Sequence, residues 1–151
     1  MTGRQLAVLA LGICLCTQAA EVHYPHTAPG NTGNWVLNER VSDEFNEDQL
    51  DVDKWHVQGT NGEYQNRFVG RAPSQFVPRN VSVKDGFLII TTRWEPGFAF
   101  SDKMKDGQRY ENITTGAAIT KSTFLYGYME IRCKAADGPI SSSFWSTGNG
   151  G

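Results

Sequence analysis

Apolar and polar positions alternate most regularly near the carboxyl end of the chain, over Tyr126–Ala135. Met129, Ile131 and Cys133 share one face of this segment, and charged side chains occupy the other. A period of two predicts a β-strand with one buried face and one polar face. A second strand is predicted over Ser141–Ser146, after a turn with the sequence Ala-Asp-Gly-Pro.

A second strand pattern surrounds Asp85-Gly86, which lies between two runs of β-branched residues. Such a dipeptide predicts a tight β-hairpin. The second strand of this hairpin, Phe87–Trp94, is largely apolar on both faces, which is typical of a strand between two packed layers. Trp94 is therefore interpreted as a core residue, with stacking on a bound ligand as the alternative.

The remaining segments show little hydrophobic period. Gly59–Phe76 and Glu95–Asn112 are polar and contain glycine, which predicts loops. A short strand is predicted over Thr115–Thr120. Residues 21–34 contain two Pro and two Gly, and we interpret them as a flexible segment before a domain that begins at Trp35. The pattern as a whole favours an all-β domain.

The first twenty residues have the features of a secretory signal. Arg4 precedes an apolar run over Leu6–Leu15, and a small-residue cleavage site ends at Ala20. The apolar run is too short to cross a bilayer. We therefore expect the mature protein to begin near residue 21 and to be secreted and extracellular.

The charge balance and the cysteine content exclude some classes of partner and an internal disulfide. The chain carries 14 basic and 16 acidic residues, and removal of the signal changes the net charge from −2 to about −3. This balance predicts no nucleic-acid partner and no anionic membrane surface. Cys133 alone remains after processing, so no internal disulfide is expected. Because it lies on the apolar face of its predicted strand, we interpret it as a small buried residue rather than a reactive thiol.

An acidic stretch over Val41–Trp55 is the main candidate for a cation site. Its spacing lacks the Asp-x-Asp-x-Asp-Gly pattern of a calcium loop, which favours a solvated face. A catalytic pair among these acids is less favoured still. His23 and His26 are interpreted as surface histidines. We therefore predict no metal site and no cofactor. The six carboxylates are those of Asp43, Glu44, Glu47, Asp48, Asp51 and Asp53.

The carboxyl-terminal pattern resembles the central strand pair of glycoside hydrolase family 16. The residues that carry the resemblance are Tyr-Gly-Tyr-Met-Glu-Ile-Arg-Cys-Lys-Ala, ending at Ala135, and Ser-Ser-Ser-Phe-Trp, ending at Trp145. It extends over Ser42–Gly151 and includes the Asp-Glu-Phe-Asn opening and the Asp-Gly hairpin. The family includes β-agarases, porphyranases, κ-carrageenases and laminarinase-type β-glucanases. The resemblance implies a jelly-roll β-sandwich of two antiparallel sheets, concanavalin A-like and incomplete in this chain, whose concave face holds a polysaccharide.

The resemblance also implies hydrolysis of an internal β-glycosidic bond with retention of configuration. That reaction uses a nucleophile and an acid/base whose carboxyl groups lie about 5–5.5 Å apart. The family's Glu-x-Asp-x-x-Glu signature does not occur in the 151 residues, and we expect it just after Gly151. Residues 35–151 are accordingly interpreted as the N-terminal part of the catalytic domain, with no catalytic residue in this chain. The alternatives are a non-catalytic carbohydrate-binding relative and an inactive fragment that does not fold alone.

Three residues are the candidates for substrate contact. Trp145 is expected to stack on a sugar ring, with a buried core tryptophan as the alternative. Arg71, flanked by apolar and rigid residues, would donate to sugar hydroxyls or sulfate esters, or else to loop carbonyls. Glu130 lies on the polar face of its predicted strand and would point into the cleft. Serines replace the Trp-Pro of the laminarinase branch before Trp145, which favours a galactan such as agar, porphyran or carrageenan over a β-1,3-glucan.

Two further expectations concern the surface of the protein. Asn80-Val-Ser and Asn112-Ile-Thr fit the acceptor sequence for N-glycosylation. The polysaccharide substrate is the expected partner, and we expect a monomer.

Overall fold

The computed structural model describes residues 24–148, and this part of the chain is all-β with three short 3₁₀ turns. The predicted signal, residues 1–20, lies outside the described residues. Among those described, no helix is long and apolar enough to cross a membrane. The strands are β1 (Trp55–Val57), β2 (Ser74–Phe76), β3 (Val81–Lys84), β4 (Phe87–Ile90), β5 (Arg93–Trp94), β6 (Met104–Lys105), β7 (Gln108–Arg109), β8 (Ile113–Thr115) and β9 (Ala118–Thr120). The 3₁₀ turns are Thr60–Gly62, Gln65–Arg67 and Pro78–Asn80.

Strand β8 is the centre of the three-stranded sheet. It pairs in parallel with β2 and antiparallel with β5. Strand β9 follows two residues later and pairs antiparallel with β1 in a separate sheet. Gly116 lies at this break, where an added Cβ would come within 2.5 Å of the Val81 side chain. The predicted strand over Thr115–Thr120 is therefore divided between two sheets by a glycine that packs against a neighbouring chain segment.

The hairpin predicted at Asp85-Gly86 is confirmed. Strands β3 and β4 pair antiparallel, and Lys84 lies opposite Phe87 across the two-residue turn. Asp85 and Gly86 have φ values of 52° and 77°. Positive φ at both central residues is the geometry of a type I′ turn, which matches the twist of the flanking strands.

A second hairpin of the same kind lies within the segment that was predicted to be a loop. Strands β6 and β7 pair antiparallel around Asp106-Gly107, whose φ values are 52° and 77°. Both hairpins carry the sequence Lys-Asp-Gly at the turn. The loop prediction over Glu95–Asn112 missed this hairpin because its strands are too short and too polar to show a hydrophobic period.

The most buried region of the described chain contains as much polar as apolar side chain. Its apolar members are Val69, Val77, Val83 and Tyr110, and its polar members are Gln58, Gln75, Asn80 and Thr114. Asn80 lies at the centre: its Nδ2 donates to Thr114 Oγ1 at 2.9 Å, and its Oδ1 accepts from Arg93 Nε at 2.9 Å. Hydrogen bonds therefore satisfy the polar groups that link the 3₁₀ turn before β3 to strands β5 and β8.

The strands predicted over Tyr126–Ala135 and Ser141–Ser146 are not formed. Tyr126 and Gly127 have φ values of 66° and 153°, which interrupt extended geometry where the first strand should begin. A strand also requires a hydrogen-bonded neighbour. Within residues 24–148 no strand pairs with either segment, and residues 123–148 are exposed.

Two predictions of burial are wrong for the same reason. Cys133 is exposed, and the side chain of Trp94 is 70% exposed. Phe87, on the strand expected to lie between two layers, is exposed as well. The sequence placed these apolar side chains on sheet faces, but no second layer covers those faces in the described part of the chain.

Candidate functional site

The main candidate site is an open groove of about 470 Å³ between the turn that contains Arg71 and the exposed segment that ends at Trp145. Two residues that the sequence singled out separately, Arg71 and Trp145, are brought together here. The groove combines a guanidinium group, two hydroxyl groups and two aromatic rings, which is a lining suited to a sugar chain. Its lining residues are Arg71, Ser142, Ser143, Phe144 and Trp145.

The Arg71 turn is held by its own backbone. The Arg71 carbonyl oxygen accepts from Ser74 N at 2.9 Å and from Ser74 Oγ at 2.8 Å. Gly70 precedes it with a φ of 152°, and an added Cβ would clash with the Ser74 carbonyl oxygen. Only glycine fits this close approach of two backbone segments. The turn is thus compact without using the Arg71 side chain.

The Arg71 guanidinium has no hydrogen bond or ion pair with any residue in the range 24–148. The alternative role considered for this side chain, bonding to loop carbonyls, is therefore not the one that the structure shows. A guanidinium carries five donors in a planar fork and remains charged at physiological pH. Arg71 thus presents unused donors to the groove.

Two hydrogen bonds from Tyr110 and Glu111 support the backbone of the Arg71 turn. The buried Tyr110 hydroxyl donates to the Gly70 carbonyl oxygen at 3.1 Å, and Glu111 N donates to the Pro73 carbonyl oxygen at 2.9 Å. Burial raises the pKa of the Tyr110 phenol above its ordinary value, so the hydroxyl stays protonated and able to donate. These contacts fix the backbone on both sides of Arg71 and preorganise the turn.

Gln75 extends this support to the neighbouring loop. Its Nε2 donates to Tyr64 Oη at 3.2 Å, and its Oε1 accepts from Ser101 N at 2.8 Å. Sequence reasoning missed both Gln75 and Tyr110, because each lies in a segment interpreted as loop. No sequence pattern marks these two residues. Each supports the Arg71 turn only through hydrogen bonds to residues that are distant in the chain.

The aromatic wall of the groove is formed by Phe144 and Trp145. The Trp145 side chain is 65% exposed, so it is not the buried core tryptophan considered as the alternative. An exposed indole offers a flat apolar face with a polar N–H at its edge. Stacking of a sugar ring on this face stays a prediction.

Glu130 lies outside the groove. Its carboxylate Oε2 accepts from His26 N at 2.9 Å and from Tyr128 Oη at 3.1 Å. Thr27 Oγ1 donates to the same tyrosine hydroxyl at 3.1 Å, and the rings of Trp35 and Tyr128 lie 6.0 Å apart. The amino-terminal segment thus occupies Glu130, and the structure does not bring this residue together with Arg71 and Trp145.

The acidic stretch surrounds a separate cavity of about 350 Å³. Asp43 Oδ2 accepts from Trp55 Nε1 at 2.8 Å, and Asp51 Oδ1 accepts from Asp53 N at 2.8 Å. Lys54 Nζ donates to the Ser42 carbonyl oxygen. In the described part of the chain no three His, Cys, Asp or Glu side chains are grouped so that they could hold a metal ion. At least two of the acids act instead as acceptors within local turns.

The two predicted glycosylation positions differ in their surroundings. Asn80 is only 1% exposed, and its Nδ2 donates to Thr114 Oγ1 and to the Thr115 carbonyl oxygen. The nitrogen that a glycan would occupy is therefore committed inside the folded protein, which argues against modification there. Asn112 is half-buried, with a φ of 61°, and its modification stays a prediction.

The chain belongs to glycoside hydrolase family 16: a family model described as Beta-porphyranase A-D, GH16 domain, matches residues 35–150. The match confirms the family resemblance, and the strands of residues 24–148 confirm the predicted all-β fold class, a jelly-roll sandwich that is incomplete in the described part of the chain. The domain boundaries proposed from the sequence stay predictions.

Similar proteins carry the names of galactan-degrading enzymes. The chain is 37% identical over 131 residues to Beta-porphyranase B of Phocaeicola plebeius, covering 83% of this chain and 38% of that protein. It is 30% identical over 148 residues to Kappa-carrageenase of Pseudoalteromonas carrageenovora, covering 92% and 33%. The crystal structure of porphyranase B from Zobellia galactanivorans aligns with a TM-score of 0.47 and 31% identity, covering 60% of this chain and 30% of that one. The chain thus spans less than half the length of each.

Proposed function

We propose that this chain is part of a secreted, endo-acting glycoside hydrolase that cleaves internal β-glycosidic bonds of a galactan with retention of configuration. The observation that carries the proposal is the groove in which Arg71 and Trp145 lie together. Membership in the porphyranase model of family 16 and similarity to proteins named as a porphyranase and a carrageenase support a galactan rather than a β-1,3-glucan.

In this proposal the groove binds the sugar chain through two complementary contacts. Trp145 stacks against the apolar face of a sugar ring, and Arg71 donates to hydroxyl groups or to a sulfate ester. Porphyran and carrageenan are galactans that carry sulfate esters, which suit a charged fork with unused donors. The Ser142 and Ser143 hydroxyls also line the groove and add neutral hydrogen-bonding groups.

The reaction itself is proposed for the whole protein. Retention requires a nucleophilic carboxylate and an acid/base carboxyl group on either side of the scissile bond. Among residues 24–148, no Asp or Glu lines the groove, and Glu130 is bonded to the amino-terminal segment. We therefore assign binding to this chain and expect the catalytic pair in a Glu-x-Asp-x-x-Glu segment of the protein to which it belongs.

The test is digestion by the full-length protein of porphyran, κ-carrageenan, agarose and laminarin, with products resolved by size. The proposal predicts oligosaccharides of several sizes from at least one galactan and none from laminarin. Proton spectra of the first products should show the β-anomer before mutarotation. Cleavage of laminarin alone, or an α-anomer first, would contradict the proposal. Release of the protein into the medium, compared with a variant lacking residues 1–20, tests secretion separately.

A second candidate is a non-catalytic carbohydrate-binding protein. The lining that the described residues give the groove favours it, because this lining contains a guanidinium, hydroxyl groups and aromatic rings but no carboxylate, and such a surface can bind a sugar chain without cleaving it. This candidate predicts measurable binding of a galactan oligosaccharide and no product from any of the four polysaccharides.

A further inference from the structure

The exposed segment of residues 123–148 carries the aromatic wall of the groove. Within residues 24–148 no strand pairs with this segment, and Phe144 and Trp145 are exposed. A sugar ring binds an aromatic face more tightly when that face is already held in place, because less conformational freedom is lost on binding. The contacts that hold this segment therefore affect the affinity of the groove.

A cluster around Tyr128 joins this segment to the amino-terminal part of the chain. Thr27 Oγ1 donates to Tyr128 Oη at 3.1 Å, and Tyr128 Oη donates to Glu130 Oε2 at 3.1 Å. The same carboxylate oxygen accepts from His26 N at 2.9 Å. The Trp35 ring lies 6.0 Å from the Tyr128 ring at an angle of 47°. We call these five residues the Tyr128 cluster.

The amino-terminal side of the Tyr128 cluster is a series of hydrogen-bonded turns. Ala28 N donates to the Pro25 carbonyl oxygen, Asn31 N to that of Ala28, and Asn34 N to that of Asn31, each at 2.9 Å. The Asn31 side chain donates to the Trp35 carbonyl oxygen at 2.8 Å and accepts from Trp35 N at 2.6 Å. These bonds hold the chain on both sides of Thr27 and up to Trp35, so the amino-terminal members of the cluster form one compact unit.

The exposed segment folds back on itself between the Tyr128 cluster and the aromatic wall. Ala136 N donates to Ser142 Oγ at 3.4 Å, and Ile140 N donates to the Gly138 carbonyl oxygen at 2.8 Å in the bend between them. Ser142 lines the groove together with Trp145. The part of the segment that the cluster holds therefore meets the part that carries the wall, and fixing the first restricts the second.

We propose that Tyr128 is a positioning residue for the sugar-binding groove. Its hydroxyl group, held between Thr27 and Glu130, fixes the segment that keeps Trp145 beside the Arg71 turn. This inference rests on the proposed function and deepens it. It gives Glu130 a part in holding the exposed segment rather than in contacting the sugar. Binding of a galactan chain then depends on hydrogen bonds that lie outside the groove.

Conservative variants test the role of this hydroxyl group. Tyr128→Phe removes the hydroxyl and keeps the ring beside Trp35, and Thr27→Val removes the donor and keeps the shape of the side chain. Tyr126→Phe is the matched control, since this tyrosine is two residues away and 89% exposed. Each variant is also combined with Trp145→Ala. A residue that acts through Trp145 should have no effect once the indole is absent, because the two effects are then coupled.

The experiment is calorimetric titration of the full-length protein with a porphyran, a κ-carrageenan or an agarose oligosaccharide, whichever the wild type binds most tightly. We expect Tyr128→Phe and Thr27→Val each to bind it about threefold more weakly than the wild type, as for the loss of one hydrogen bond. Tyr126→Phe should match the wild type. In the Trp145→Ala background, none of the three substitutions should change the affinity further.

Each result decides the inference. Tyr128→Phe and Thr27→Val act on the same hydrogen bond, so either variant tests the proposal if the other does not fold. An unchanged or increased affinity of these variants would overturn the positioning role and leave the proposed function standing. An equal loss with and without the Trp145 indole would also overturn it, because Tyr128 would then act independently of the aromatic wall. A wild type that binds none of the three oligosaccharides would overturn both the inference and the proposed function.

Discussion

The Tyr110 hydroxyl donates a hydrogen bond to the Gly70 carbonyl oxygen at 3.1 Å, one residue before Arg71. This contact joins the end of the polar 95–112 segment to the turn that presents the guanidinium. Because Tyr110 is buried, its removal leaves a carbonyl oxygen without its partner in a place that water does not reach freely. The side chain of Arg71 therefore depends on a residue that does not line the groove.

Substitution Tyr110→Phe tests this dependence. We expect the free energy of unfolding to fall by about 1 kcal/mol, because one buried hydrogen bond is lost while the ring remains. Affinity for a galactan oligosaccharide should fall as well, because the Arg71 turn is less fixed. Denaturant unfolding and calorimetric titration measure the two effects. Tyr24→Phe, at an exposed tyrosine, is the control and should change neither.

Glu95 makes stability depend on pH. Hydrogen bonds from Arg79 and Thr114 lower the pKa of its carboxyl group below the ordinary 4.5, in that order of size. A carboxyl group with a lowered folded-state pKa stabilises the fold above its ordinary pKa, and the contribution disappears as the pH falls through the folded-state value. We expect Glu95→Gln to lower the unfolding midpoint at pH 7.

The difference between wild type and Glu95→Gln should shrink as the pH falls below 4.5. Urea unfolding at a series of pH values measures it. Glu63→Gln, at an exposed glutamate, is the matched control and should leave the unfolding midpoint at pH 7 unchanged. A difference for Glu95→Gln that is constant over the whole range would show that the charge of this carboxylate has no role.

Asn80 is expected to be the most sensitive polar position of the core. Its amide bonds to Thr114 and Arg93 at once, so Asn80→Ala removes both of these hydrogen bonds from the buried region. The expected loss is roughly 1–3 kcal/mol in the free energy of unfolding. Asn46→Ala, at an exposed asparagine, should cost far less. Equal losses in the two variants, measured by urea unfolding, would contradict the central place given to Asn80.

The sequence was sufficient to predict structure that depends only on residues close together in the chain. The Asp85-Gly86 hairpin was predictable because two left-handed residues in succession are favourable for this dipeptide and register follows from the turn. The family resemblance was sufficient for the fold class, because it rests on a long stretch of residues. The equivalent hairpin at Asp106-Gly107 had the same turn signal, but its two-residue strands offered no alternation to support it.

The sequence was not sufficient to predict structure that depends on contacts with distant parts of the chain. Tyr126–Ala135 has the alternation of a half-buried strand, yet no strand pairs with it in the described chain, and Cys133 is exposed. Arg71 and Trp145 were each singled out, but their sharing of one groove depends on long-range packing that no local pattern encodes. Glu130 lies on the polar face of a predicted strand, which made it a candidate. Only its hydrogen bond from His26 N shows that it lies outside the groove.

We propose that the groove between Arg71 and Trp145 binds a galactan chain. Trp94 offers a matched control for Trp145, since the two side chains are 70% and 65% exposed and only Trp145 lines the groove. We expect Trp145→Ala to weaken binding of a porphyran oligosaccharide by about tenfold, and Arg71→Lys to weaken it because a point charge replaces a planar fork.

Calorimetric titration of the full-length wild type, Trp145→Ala and Trp94→Ala with one porphyran oligosaccharide is the most direct measurement. We expect binding by the wild type, near-normal binding by Trp94→Ala and about tenfold weaker binding by Trp145→Ala. Equal losses in both tryptophan variants, or unchanged affinity of Trp145→Ala, would contradict the assignment of this groove as the sugar-binding site.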